Sequence, residues 1–186
     1  TERSKAFQDA SYGRIGTIEI PDHVAMLSQI AKTRPYIDLD RVGVYGHSWG
    51  GYFALRAMLT APDVFHVGVS GAPGELTESA SINEPYMRTP ANNLTGYATG
   101  LNAHLASNLK GRLLIIHGTA DVNAPFSTSM RMVDALIRAD KHFDLLVLPG
   151  ATHYFQGVQA RYVTRRIQSY FLQHLRDEPT NDNSAK

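Results

Sequence analysis

Three short stretches of this chain carry side chains that could together do nucleophilic chemistry. Ser48 lies in Gly46-His47-Ser48-Trp49-Gly50-Gly51, Asp121 in Gly118-Thr119-Ala120-Asp121, and His153 in Gly150-Ala151-Thr152-His153. A serine hydroxyl is a poor nucleophile at neutral pH and needs a base beside it. An imidazole serves, because a histidine titrates at about 6.5 when unperturbed. A carboxylate can then hold that imidazole in one tautomer and stabilise the imidazolium that forms. The order serine, acid, histidine is the one expected when the serine stands on a strand–turn–helix elbow. The chemistry on offer is acyl transfer through a serine ester.

For these groups to meet, the surrounding elements must bring them to one place. An apolar run over 42–45 reads as a strand, and Tyr52-Phe53-Ala54-Leu55-Arg56-Ala57-Met58-Leu59 reads as the helix after it. In such an elbow the residues two before and two after the serine pass too close for side chains, which Gly46 and Gly50 satisfy, and Gly51 lets the helix pack on the strand. Further strands are expected over 65–70, 112–117 and 143–148. Helices are expected over 21–34 with Pro21 at its start, over 126–139, and over about 157–175. Residues 1–17 read as a loop with one helical turn around Phe7. Alternating strands and helices imply a parallel sheet with helices on both faces. Ligands then sit beyond the carboxyl ends of the strands, where Ser48, Asp121 and His153 all fall.

Rival groups are less well placed. His117 closes a strand and is expected buried against the elbow. His47 flanks the serine and is expected to point away from any base position, since neighbours in a tight turn diverge. His66 is read inside a strand, His23 on a helix, and His104, His142 and His174 away from the rim. Asp121 also reads as a turn or cap aspartate, while Asp140 ends a helix and Asp144 begins a strand. The backbone N–H of Trp49 is the expected oxyanion donor; the 47 residues before Ser48 offer no second one. Asn123 reads either as a plain turn asparagine or as an amide suited to a peptide backbone, which both donates and accepts.

The totals narrow the class. A chain of 186 residues is one domain by expectation. Hydrophobic residues at 43% and charged residues at 19% suit a globular protein. A formal net charge of +1 gives no field that favours nucleic acid, and no apolar run approaches the roughly 20 residues of a membrane helix. Cysteine is absent, which excludes disulfides and thiolate metal sites and points to no compartment. No metal or nucleotide cofactor is implied: no His/Asp cluster has ligand spacing and no glycine-rich phosphate loop precedes a helix. Residues 74–110 are rich in Ser, Thr, Asn, Glu and Pro, and read as a loop-rich insertion over one end of the sheet. Asn93-Leu94-Thr95 fits a glycosylation sequon. Residues 177–186 read as a polar tail.

Taken together, 41–52 around Ser48, His117-Gly118-Thr119-Ala120-Asp121-Val122-Asn123, Gly150-Ala151-Thr152-His153 and Asn83-Glu84-Pro85-Tyr86-Met87 resemble the prolyl oligopeptidase family of serine peptidases, in its dipeptidyl-peptidase branch. The resemblance runs from about Phe7 to Leu175. It implies an α/β-hydrolase fold, a triad of Ser48, Asp121 and His153, no cofactor, a peptide substrate, Tyr86 in the pocket region, and Asn123 on a substrate carbonyl. Two departures fall where the branch shapes its proline pocket: Ile82 stands where a tyrosine is usual, and Ala124 where valine is. The resemblance also places an upstream β-propeller and the early strands of the hydrolase domain before this stretch, with the family's second oxyanion donor. Residues 1–176 are therefore expected to be the C-terminal part of a catalytic domain. The strand at 42–45 would alone present an unpaired apolar edge that invites association of copies. The competing readings are a carboxylesterase-type acyl hydrolase with the same triad, and a non-catalytic piece that acts in assembly.

Overall fold

The computed structural model describes residues 3–77 and 81–176, so the expected tail lies outside the described residues. In chain order come α1 (Lys5–Gln8), α2 (Glu19–Ala31), β1 (Gly43–His47), α3 (Trp49–Thr60), β2 (Val67–Gly71), α4 (Glu84–Met87), α5 (Leu94–Gly100), β3 (Arg112–Gly118), α6 (Phe126–Arg138), β4 (Asp144–Leu148) and α7 (Gly157–Leu175). The strands form one parallel sheet in the order β1-β2-β3-β4. All their carboxyl ends therefore lie along one rim.

The core follows from the two-residue period of β3. Leu113 and Ile115 turn to one face, where Leu55, Met58 and Leu59 of α3 and Met132 and Leu136 of α6 cover them. Leu114 and Ile116 turn to the other face, against Val163 and Tyr170 of α7. Each such aliphatic side chain contributes roughly 1.5–3 kcal/mol when fully buried. A strand buried on both faces is the reason 112–117 reads as an unbroken apolar run. β1 and β4 are the edges, and Tyr45 on β1 is 52% exposed.

Several boundaries move for identifiable reasons. β1 extends through Gly46 and His47 because these pair in register with Ser70 and Gly71. β2 starts at Val67, since Phe65 N–H is still bonded back to the Ala61 carbonyl. His66 therefore precedes the strand, where its Nδ1 accepts the Val42 N–H. α2 begins at Glu19, whose carboxylate accepts the N–H groups of Gly16 and Ile18. Pro21 sits two residues inside it, among the first-turn positions that have no intrahelical N–H partner to lose. The helix stops at Ala31, ahead of Pro35.

The stretch 74–110 does more than cap one end of the sheet. Leu76, Met87 and Tyr97 pack on Tyr52 of α3 as a third buried cluster, and Ala106 and Leu109 join the core beneath α3 and α6. Buried Arg56 ties the chain together: its guanidinium donates to the carbonyls of Gly16 and Thr99 and to Asn102 Oδ1. Asn93, the sequon residue, caps α5 by accepting the Gly96 N–H, and its Nδ2 donates to the carbonyls of Gly13 and Met87. Both amide hydrogens are thus engaged, and a glycan there would have to break this knot.

Candidate active site

Ser48 lies between β1 and α3 with φ 60° and ψ −120°, a left-handed backbone that a non-glycine residue adopts at a cost of roughly 1–3 kcal/mol. The surroundings hold it there. Ser48 N–H donates to the Gly71 carbonyl at 2.9 Å, and the Ser48 carbonyl accepts from Tyr52 N–H and Gly74 N–H. A Cβ on Gly46 would come within 2.0 Å of the Gly50 carbonyl oxygen, and one on Gly51 within 2.5 Å of the Gly71 oxygen. Those glycines are required for the turn and for helix-on-strand packing. Gly50 is different: a Cβ there meets nothing within 4 Å.

Asp121 follows β3 and His153 follows β4, and the sheet brings both to Ser48. Ser48 Oγ is 2.8 Å from His153 Nε2, and His153 Nδ1 is 2.7 Å from Asp121 Oδ2. A carboxylate only accepts, so His153 carries its proton on Nδ1, and Nε2 accepts from the serine hydroxyl. Asp121 is 6% exposed and His153 5%. Burial alone would raise the Asp121 carboxyl. The His153 hydrogen bond and the N–H groups of Ala124 and Asn123, both 2.9 Å from Oδ1, outweigh it and hold the group below the usual carboxylate range. Trp49 is the first residue of α3, so its N–H has no intrahelical partner and stands beside the serine.

Ser48, Trp49 and His153 open on a cleft of about 820 Å³ that is also lined by Ile82, Asn123 and Ala124. Tyr86 is not among its lining residues. It is 55% exposed, and its carbonyl accepts the Gly13 N–H.

Two further histidines lie close to these groups. His117 is fully buried, but against the acid loop rather than the elbow. Its Nε2 donates to the Ala124 carbonyl at 2.8 Å and lies 3.3 Å from Asp121 Oδ2, while its Nδ1 accepts from Ser129 Oγ. Burial pushes its pKa below the ordinary histidine value. The His47 ring packs beside His153, with the ring centroids 5.0 Å apart. The cleft also holds Glu75 and Arg131, whose guanidinium donates twice to Glu75 Oε2, and the exposed Tyr154. Nothing local in the sequence marks the Glu75–Arg131 pair. Tyr154, adjacent to His153, could have been inferred. A second hollow of about 610 Å³, lined by Ile20, Val24, Arg56 and Leu105, is not lined by Ser48, Asp121 or His153. Among the described residues no group of three His, Cys, Asp or Glu could hold a metal ion, and no helix is long and apolar enough to cross a membrane.

The family model described as the prolyl oligopeptidase family matches residues 1–178. Mouse dipeptidyl peptidase 8 is 37% identical over 156 residues, which is 81% of this chain and 18% of that protein. Mouse inactive dipeptidyl peptidase 10 is 31% identical over 168 residues, 89% of this chain and 21% of that protein. The crystal structure of Porphyromonas gingivalis dipeptidyl peptidase 4 superposes with a TM-score of 0.87 at 30% identity, covering 93% of this chain and 25% of that one. The chain thus spans about a fifth of the length of the curated relatives it matches.

Proposed function

Because the chain belongs to the prolyl oligopeptidase family, and has the α/β-hydrolase fold of its dipeptidyl-peptidase relatives, we propose that it is the reacting part of a serine peptidase that cleaves short peptides through an acyl-enzyme. The observation that carries this reading is the unbroken row Ser48 Oγ, His153 Nε2, His153 Nδ1, Asp121 Oδ2, with contacts of 2.8 and 2.7 Å.

Ser48 Oγ attacks the scissile carbonyl as His153 Nε2 takes its proton, and Asp121 stabilises the imidazolium. The Trp49 N–H faces the oxyanion that develops. A single donor of this kind accounts for roughly 10²–10³ in kcat. The imidazolium then gives its proton to the leaving amine, an ester remains on Ser48, and water releases it by the reverse relay. In this reading Asn123, which lines the cleft, holds a substrate backbone carbonyl, and Ile82 and Ala124 shape the pocket for the residue before the cleaved bond. The open edge of β1 and a second oxyanion donor would be completed by other parts of a longer protein, among them early strands and a β-propeller.

The test is labelling with a fluorophosphonate and turnover of a dipeptidyl p-nitroanilide by a protein that carries those further parts, since these 186 residues alone are expected to turn over substrate poorly or not at all. Labelling at Ser48, abolished in Ser48→Ala, and release of nitroaniline are expected. Ester turnover without amide turnover would favour a carboxylesterase. No labelling at all would favour a non-catalytic role, as in the relative named inactive.

A further inference from the structure

We propose that His47 is a positioning residue: it clamps the loop that carries His153 and so fixes the imidazole on Ser48. The inference rests on the peptidase reading above.

His153 sits in the connection between β4 and α7, outside any strand or helix. No ladder fixes this loop where His153 stands, yet Nε2 must face Ser48 Oγ within a fraction of an ångström. His47 supplies a fixed point. Its Nε2 lies 2.8 Å from the carbonyl oxygen of His153. A carbonyl only accepts, so His47 carries its proton on Nε2 and donates it there. The ring also supports the next residues of the loop, stacking on Tyr154 at 6.0 Å and meeting Phe155 edge-on at 5.3 Å. Three successive loop residues thus lean on one side chain.

His47 is itself anchored in the sheet. It is the last residue of β1, in register with Gly71, and its Nδ1 faces Gly71, where a Cβ would come within 3.0 Å. Burial holds its imidazole below the ordinary histidine range, so the neutral donor form prevails at pH 7. Since Ser48 follows directly, nucleophile and base are both referred to the same strand end. A misplacement of about 1 Å at a reacting pair can cost on the order of 10²-fold in rate.

The experiment compares His47→Phe, which keeps a ring but has no N–H, with His47→Gln, whose amide can still reach the carbonyl, in the same longer protein that tests the peptidase reading. His47→Phe should lower kcat and the fluorophosphonate labelling rate about 10- to 100-fold with KM within about twofold. His47→Gln should restore most of both, with the two melting temperatures similar. His47→Leu repeats the comparison if the larger ring does not fit. A wild-type protein that labels at Ser48, with His47→Phe equally fast or with Gln no better than Phe, overturns the proposal alone. A wild-type protein that does not label overturns the peptidase reading and this proposal with it.

Discussion

A side-chain carbon on Gly46 would stand 2.0 Å from the carbonyl oxygen of Gly50, whereas one on Gly50 would touch nothing within 4 Å. The two outer glycines of the elbow are therefore not equivalent. Gly46→Ala must push β1 and α3 apart and is expected to cost about 1–3 kcal/mol or more, with loss of activity. Gly50→Ala, in the first turn of α3, should change stability by less than about 1 kcal/mol. Urea unfolding of both variants checks this; equal losses would contradict it.

Asp121→Asn isolates the tautomer argument. Asn can keep its oxygen on the N–H groups of Asn123 and Ala124, which Asp121 Oδ1 now accepts. Its NH₂ then faces His153 Nδ1 and forces that proton onto Nε2, where it can no longer accept from Ser48. The expected result is a fall in kcat of about 10³–10⁴-fold with the fold retained. A fall of less than about tenfold by p-nitroanilide turnover would remove Asp121 from the relay.

Stability should drop on mild acidification, because His117 is buried with its folded pKa depressed. The unfolded chain takes up that proton first as pH falls through about 6.5, so the unfolded state gains and stability is lost below that point. His47 is depressed in the same sense, also by burial. Asp121, likewise depressed, adds its loss only at lower pH, below about 4. The urea midpoint should be lower at pH 5 than at pH 7.5; an unchanged or higher midpoint would reject the assignment.

Arg56 holds together segments far apart in sequence. Replacing it with Met leaves the carbonyls of Gly16 and Thr99 and the Asn102 amide oxygen without their donor. Each lost bond to a charged group is worth roughly 1.5–3 kcal/mol, so Arg56→Met is expected to cost at least about 3 kcal/mol. The check is chemical denaturation together with proteolysis, which should begin near residue 16. A variant as stable as wild type would show that these bonds contribute little.

The sequence by itself determined what depends on near neighbours. The alternation of strand and helix, the glycine at 46 and the order of Ser48, Asp121 and His153 are local patterns, since side-chain periodicity and turn sterics act over a few residues. Parallel pairing then obliges the three loops to share a rim. Only the tertiary structure decided which side chains face one another across that rim. His47 meets the His153 carbonyl across 106 residues, Arg131 meets Glu75 across 56, and His117 joins the acid loop instead of the elbow. Tyr86, close in sequence to Ile82, does not line the cleft that Ile82 does. These contacts arise from strand order, register and helix packing, which set the distances between loops and leave no periodic mark in the loops themselves.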